Sequence, residues 1–192
     1  LRQNSGNRVH KVMEELVNYY AGVSKKSPAA IEREFTEYGK FFKKLNAYAK
    51  KLVNDINTIQ SEINRKNKTK DKAKIRTELT VINKASNSGG TVDLIAFFSD
   101  GSAAIYDYKS KIPRVDKAGA RIDKNTGKVI LEKDLWLGSA EMYNLQIGQY
   151  KKTLKDQYGV TQVRRSRVLP IMIDFQRDSN GMPMNIVRDL QL

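Results

Sequence analysis

Cysteine is absent from the 192 residues of the chain, and only one histidine is present. The lack of cysteine excludes disulfides, thiolate zinc sites and cysteine nucleophiles, and it fits a reducing setting. No stretch approaches the roughly 18 apolar residues of a membrane-spanning helix, and no amphipathic segment has the aromatic face of a membrane anchor. We therefore expect an intracellular protein, cytoplasmic or nucleoid-associated, that has no membrane partner.

Acidic residues are also scarce. The chain has 21 Asp and Glu against 35 Lys and Arg, a formal net charge of +14. Residues 40 to 76 hold twelve basic and three acidic residues, so +9 of this charge lies in one segment. Such an excess repels itself unless the protein works against a polyanion, and nucleic acid is the leading partner. The alternative is an ordinary solvated helix face.

Motifs of several other enzyme classes are missing. There is no G-x-x-x-x-G-K-[ST] loop for nucleotide phosphates, and no serine or cysteine constellation for nucleophilic hydrolysis. The chain opens with LRQNSG, which contains neither an initiator methionine nor a signal-peptide core. We expect residues 1 to 192 to form one domain, excised from a larger protein.

The first third of the sequence has helical periodicity. Apolar residues at positions 9, 12, 13, 16, 17 and 20 predict an amphipathic helix over about residues 7 to 20. A second helical stretch, one helix or two, is predicted from about 29 to 66, and a charged connector follows it. We interpret the region from about 24 to 74 as a basic helical insertion that tracks nucleic-acid phosphates.

The pattern then changes to short segments that favour β-structure. Strands are predicted at 75 to 83, 90 to 98 and 102 to 110, with SDG at 99 to 101 as a hairpin turn. Residues 111 to 138 are predicted to be a loop, with a small hairpin at DKNTG. A helix over 139 to 157, ended by Gly159, a strand around 166 to 175 and a last strand in MPMNIVRDLQ follow. Because both faces of the central strands are apolar, we predict an α/β or α+β sandwich in which helices cover both sides of a mixed sheet.

Two acids and a lysine occur in the most strand-like segment, GGTVDLIAFFSDGSAAIYDYKSK at 89 to 111. In a hairpin that turns at Asp100, opposed positions have a constant index sum, so Asp93 and Asp107 are directly opposed or one step off. Their Cβ atoms should therefore lie roughly 4.5 to 8 Å apart. Asp107 and Lys109 should share one face, because side chains alternate along a strand.

These three residues suit metal-assisted chemistry. Two carboxylates at this distance repel unless a cation lies between them, and a hard divalent ion, Mg²⁺ or Mn²⁺, satisfies both. Beside such an ion Lys109 can orient a water and stabilise charge on a phosphate. The alternative is that Asp107 and Lys109 form a surface pair and Asp93 caps a strand end.

GTVDLIAFF and IYDYK together resemble the acid and D/E-x-K elements of the PD-(D/E)XK nuclease superfamily. The resemblance implies a restriction-endonuclease-like core with the element order αβββαβ. Val92 replaces the proline that precedes the first acid in that family. GNRVHKVMEEL, with Gly6 and His10, and LQIGQY, with Gln146 and Tyr150, are similar to two further motifs of the RecB-like branch, whose nucleases are fused to or partnered with helicases.

The resemblance also implies residue roles. The implied metal ligands are His10, Asp93, Asp107 and the backbone carbonyl of Tyr108. The implied catalytic set is Asp93, Asp107, Lys109, Gln146 and Tyr150, the last two of which would hold DNA and the lysine. Taken alone, His10 also suits the boundary of an apolar helix stripe, and Tyr150 suits the stripe of its own helix. Glu78 is a candidate further member of the site or a salt-bridged strand residue.

We therefore expect a divalent-metal-dependent nuclease, endonuclease or exonuclease, that hydrolyses DNA with a metal-activated water. A helicase or polymerase would be fused to it or associated with it. One alternative is an RNA endonuclease of the viral cap-snatching type, which shares the core and a histidine ligand; the Gln146 and Tyr150 pair argues against it. The other is a non-catalytic nucleic-acid-binding module with the same fold.

Overall fold

The structure, a computed structural model, describes residues 2–111, 125, 140–177 and 183–190, with the side chains of residues 8–109, 125, 143–169 and 171. The predicted loop at 111 to 138, with its small hairpin, lies outside the described residues except for Lys111 and Asn125. The elements in chain order are α1 (Arg2–Tyr20), α2 (Pro28–Glu34), a 3₁₀ turn (Thr36–Tyr38), α3 (Phe41–Asn67), β1 (Lys74–Asn83), β2 (Ser88–Phe97), β3 (Ala103–Lys111), α4 (Ala140–Tyr158), β4 (Val163–Arg177) and β5 (Pro183–Leu190).

The helices lie where the periodicity predicted them, and the second helical stretch consists of two helices. Ser27 caps α2, since its hydroxyl accepts a hydrogen bond from the Ala30 N–H, and Pro28 follows it at the first helical position. Gly39, with φ of 47°, ends the 3₁₀ turn and allows the chain to start α3 in a new direction. None of the helices within the described ranges combines the length and apolar character needed to cross a membrane.

The strands form one five-stranded sheet in the order β1-β2-β3-β4-β5. β1, β2 and β3 are antiparallel neighbours, β3 and β4 are parallel, and β4 and β5 are antiparallel. The chain leaves β3 and passes through α4 before it returns as β4, as a parallel pair requires. The predicted mixed sheet is confirmed.

Helices cover both faces of this sheet, as the apolar pattern predicted. The first core joins α1, α2 and α3 to one face, through residues such as Met13, Leu45, Leu94 and Tyr106. The second core joins α4 to the other face, through Ile147, Tyr150, Leu154, Ile95 and Ile105. The helices of the predicted insertion thus supply part of the first core.

The turn between β2 and β3 is anchored on both sides of the sheet. Asp100 accepts a hydrogen bond from the Ser102 N–H at 3.0 Å and pairs with Arg164 of β4. Gln60 of α3 donates to the Ser99 hydroxyl at 2.7 Å and accepts from the Ser99 N–H at 3.1 Å. These contacts fix the position of the turn and therefore the register of the hairpin.

Candidate metal centre

The strands β2 and β3 separate where the two predicted acids lie. Their pairing runs from the turn to Leu94 opposite Tyr106, and the next residues along the two strands are Asp93 and Asp107. The Tyr108 N–H donates to Asp93 Oδ2 at 2.6 Å. A carboxylate therefore takes the place of a strand carbonyl, which satisfies the backbone donor while the strands open. Asp93 and Asp107, which the hairpin geometry predicted to be opposed or one step off, are the first residues beyond the last pair of the ladder.

A second interruption lies between β1 and β2. Glu78 and Asp93 face each other, and the pairing of the two strands omits them while it continues on either side. Glu78 has a φ of 51°, in the left-handed region that side chains with a Cβ avoid. Such backbone strain costs about 1 to 3 kcal/mol and is concentrated at functional sites.

Across this interruption, the side chains of β1 and β2 change from one face of the sheet to the other. Residues separated by an even number of positions normally share a face. Ile75 nevertheless belongs to the first core and Val81 to the second, and Leu94 belongs to the first core whereas Val92 belongs to the second. The Glu78 and Asp93 step is thus a crossing point between the two layers of the molecule.

Helix α1 brings the single histidine to this point. Its apolar stripe is buried against the sheet, and His10 lies half-buried beside that stripe. His10 Nδ1 lies 3.3 Å from Asp93 Oδ1, and the imidazole meets the ring of Tyr108 edge to face at 5.9 Å. One ligand atom from each of His10, Glu78 and Asp93 lies within 4.8 Å of the other two.

Asp107 and Lys109 lie together beside this group. Asp107 is 2% exposed, and its Oδ2 lies 2.7 Å from Lys109 Nζ. This contact is a charge pair without hydrogen-bond direction, because Oδ2 has no hydrogen-bond partner among the described residues. Lys109 Nζ also lies 5.3 Å from the ring centre of Tyr143 on α4, a cation–π contact. The lysine is thus held between a buried carboxylate and an aromatic ring.

The site concentrates negative charge, and the pKa values reflect this. Burial raises the pKa of Asp107, and the Asp93 carboxylate raises it further, which outweighs the effect of Lys109. Although the Glu78 side chain is exposed, desolvation of its carboxyl group raises its pKa, as does the charge of Asp93. Burial acts to lower the pKa of His10, but Asp93, together with Glu78 and Asp107, leaves it raised. The pKa is thus raised for all three groups. A bound cation would lower the pKa of the two acids again, because it favours their charged form.

The donor set fits a divalent cation. It offers an imidazole nitrogen from His10 and carboxylate oxygens from Glu78 and Asp93. Carboxylates favour Mg²⁺ and Mn²⁺, and the added imidazole favours transition metals. Asp107 and the Tyr108 carbonyl lie outside the three-residue group of ligand atoms, so their roles as ligands stay predictions.

Gln146 and Tyr150 of α4 are joined to each other and to β2. Gln146 Nε2 donates to Tyr150 Oη at 3.0 Å, and Tyr150 Oη donates to the Thr91 carbonyl at 2.9 Å. Tyr150 is only 5% exposed, and a Cβ added at Gly90 would lie 2.9 Å from its ring. The tyrosine hydroxyl is therefore used to hold the strand that carries Asp93, whereas the resemblance predicted that it holds DNA.

Two clefts give access to the centre. One, of about 250 Å³, is lined by His10, Lys11, Glu14 and Glu78. The other, of about 450 Å³, is lined by Lys109 and four residues of α4, Gln146 among them. Gln146 therefore lies in the wall beside the lysine, which is compatible with the predicted role near Lys109.

Two members of the site were not assigned by the sequence reasoning. Glu78 was only a candidate, although Glu78 and Asp93 have the constant index sum of the β1–β2 pairing. Tyr143 was not among the predicted site residues, and its ring lies beneath the Lys109 ammonium. The available indication was that Tyr143 lies three residues before Gln146, so that the two side chains share a face of the helix.

Comparisons of the chain with protein-family models, curated proteins and solved structures found no match.

Proposed function

We propose that this chain is a divalent-metal-dependent nuclease that hydrolyses phosphodiester bonds in DNA, built on a restriction-endonuclease-like core. The observation that carries the proposal is the meeting of His10, Glu78 and Asp93, with the Asp107–Lys109 pair beside them, where the strands separate. The opposed acids and the D-x-K spacing are the features on which the motif resemblance rests.

His10, Glu78 and Asp93 would hold the ion, with Asp107 and the Tyr108 carbonyl as further candidate ligands. When bound, a Mg²⁺ or Mn²⁺ ion would supply an activated water and neutralise charge on the scissile phosphate. Burial, and then the charge of Asp93, raise the pKa of Asp107 and of Glu78, and a bound cation would favour the charged form of both acids.

Lys109 would act on the substrate. Its ammonium is fixed by Asp107 and Tyr143, and its side chain is 22% exposed beside a cleft. An ammonium so placed can donate a hydrogen bond to the attacking water or to a phosphate oxygen on which charge develops. Gln146 lines the same cleft, and Tyr150 keeps β2 in position.

DNA is the proposed substrate because the Gln146 and Tyr150 spacing resembles the RecB-like branch. RNA hydrolysis of the cap-snatching type and binding without catalysis are outcomes of the test. A fused or associated helicase or polymerase would be the protein partner.

The test is a digest of linear, nicked and closed circular DNA and of single-stranded DNA and RNA, with Mg²⁺, with Mn²⁺ and with chelator. We expect metal-dependent DNA cleavage that falls about 100-fold or more in Asp107→Ala and in Lys109→Ala. The matched control is Asp156→Ala and Lys152→Ala, an exposed ion pair on α4 that should not affect cleavage.

If only RNA were cleaved, RNA would replace DNA as the proposed substrate. Retained DNA binding without cleavage under any metal condition would overturn the catalytic function. Equal losses in the α4 control pair would mean that the site residues act only through stability.

A further inference from the structure

The cations of residues 40 to 76, twelve Lys and Arg residues, are all exposed on the described part of the chain. Seven other cations of the described residues pair with carboxylates (Arg8, His10, Lys11, Lys26, Lys109, Lys152 and Arg164), whereas none of the twelve pairs with a carboxylate of the described residues. Charge left unpaired in this way is available to an external polyanion.

Five of these cations, one at the N-cap of α3 and four within the helix, lie on one side of it. With about 100° between successive residues, they occupy roughly a third of the helix circumference. We call this set the lysine stripe; its members are Lys40, Lys43, Lys44, Lys50 and Lys51. No acid lies between its first and last residue, and Asp55 and Glu62 follow it along the helix.

A second group of cations lies where α3 ends and β1 begins, separated from the stripe by residues 52 to 64, which hold Asp55 and Glu62 and no cation. Residues 65 to 76, here called the basic connector, contain seven cations and one acid, Asp71. α3 has 27 residues, which makes it about 40 Å long. This length is close to one turn of a nucleic-acid duplex, about 34 to 36 Å.

The composition of the stripe selects the kind of polyanion. The aromatic residues of α3, Phe41, Phe42 and Tyr48, are buried in the first core. Binding of single strands relies on exposed aromatic rings that stack on bases, and membrane anchoring relies on an apolar face that enters the lipid. The exposed face of α3 offers neither, because its apolar face is already packed against the sheet.

We propose that the lysine stripe and the basic connector bind the phosphate backbone of double-stranded nucleic acid without sequence specificity. This inference rests on the proposed function for its substrate class, nucleic acid. It adds which surface binds the substrate and that the substrate is double-stranded. Phosphate contacts of this kind release counterions, so the affinity should fall steeply with salt.

The test measures binding of the full chain to a fluorescent DNA duplex, to a single strand of equal length and to vesicles of anionic lipid. It is done in chelator over a range of salt concentrations, so that cleavage plays no part. The test variant is K43Q/K44Q/K50Q/K51Q. The control variant, K25Q/R33Q/K84Q/K155Q, removes the same charge from four exposed cations elsewhere on the described surface.

We expect the stripe variant to bind the duplex at least about 10-fold more weakly at low salt. The slope of log affinity against log salt should fall by about 3 to 4, near 0.9 for each phosphate that the variant no longer neutralises. The control variant should retain the wild-type slope.

Equal loss in both variants would overturn the inference, because net charge alone would explain it. Tighter binding to single strands or to vesicles than to the duplex would overturn it as well. Because the assay needs no metal, duplex binding that depends on the stripe would persist even if the nuclease activity were not found. Conversely, cleavage that survives in the stripe variant with an unchanged salt slope would overturn this inference and leave the nuclease proposal intact.

Discussion

At the residue scale, Asp93 connects the parts of the candidate metal centre. One carboxylate oxygen accepts the Tyr108 N–H, and the other faces His10 Nδ1. Glu78 and Asp107 lie on the two neighbouring strands, and each has a raised pKa to which Asp93 contributes. Asp93 thus contacts a backbone N–H and an imidazole, and its charge contributes to the raised pKa of two further acids.

Glu78 is predicted to be a ligand for the divalent ion. Glu78→Gln keeps the size of the side chain and removes its charge, so we expect Mn²⁺ affinity to fall about 10- to 100-fold. Titration of the full chain with Mn²⁺ measures this change. Glu62→Gln, at an exposed position of α3, is the control and should bind Mn²⁺ as the wild type does. Unchanged affinity in Glu78→Gln would remove this residue from the site.

Asp107 is predicted to destabilise the metal-free protein. The pKa of Asp107 in the folded chain lies above the ordinary value of 3.8. Between these two pKa values, the folded chain therefore binds more protons than the unfolded chain does. Stability from this group is therefore lost as pH rises from 3.8 through the raised pKa. In chelator at neutral pH, Asp107→Asn should be more stable by on the order of 1 kcal/mol, the usual size of single substitutions.

Urea denaturation at neutral and acid pH checks this expectation. The difference between the two proteins should vanish below the ordinary pKa, where both side chains are uncharged. Excess Mn²⁺ should then stabilise the wild type more than the variant, because a ligand of the folded state favours folding. A variant that is less stable than the wild type in chelator would contradict the prediction.

At the scale of elements, α4 acts on β2 through one hydroxyl. Tyr150 donates to the Thr91 carbonyl two residues before Asp93, and Gly90 allows its ring to approach the strand. The contact crosses the second core, whereas His10 reaches Asp93 from the side of the first core. The position of β2 at the site is therefore set by helices from both layers.

Tyr150→Phe should reveal this positioning role. The substitution leaves the Thr91 carbonyl and the Gln146 amide without their partner, and it should reduce stability by about 1 to 3 kcal/mol. DNA affinity in chelator should stay near the wild-type value, while Mn²⁺ affinity falls with the displacement of Asp93. Tyr158→Phe is the matched control, since the Tyr158 hydroxyl makes only an exposed 3.5 Å contact with the Thr80 carbonyl. Unchanged stability with a loss of DNA affinity would instead support the direct DNA contact that the resemblance implies.

At the scale of the whole molecule, the charge and the candidate centre belong to different parts of the fold. The centre is acidic and lies within the sheet, whereas the basic surface lies on α3 and its connector. An acidic centre repels a phosphate backbone until a cation is bound, and a basic surface can retain the backbone in the meantime. This division agrees with the proposed separation of binding and cleavage.

The sequence by itself determined the elements and the local geometry. Apolar spacing predicted the helices and strands. The turn at Asp100 predicted that Asp93 lies opposite Asp107 or one step from it, because the register of a short hairpin depends on neighbouring residues alone. The charge of residues 40 to 76 was likewise evident, since charge is a property of composition.

Only the tertiary structure decided which distant side chains meet. The approach of His10 to Asp93 and the cation–π contact of Lys109 with Tyr143 each join segments far apart in the chain. Such contacts depend on how α1 and α4 pack across the sheet, and no local periodicity encodes that packing. The Tyr150 hydroxyl is a further example. The spacing of four residues predicted that Tyr150 shares a helix face with Gln146, but the fold determined that its hydroxyl donates to the Thr91 carbonyl.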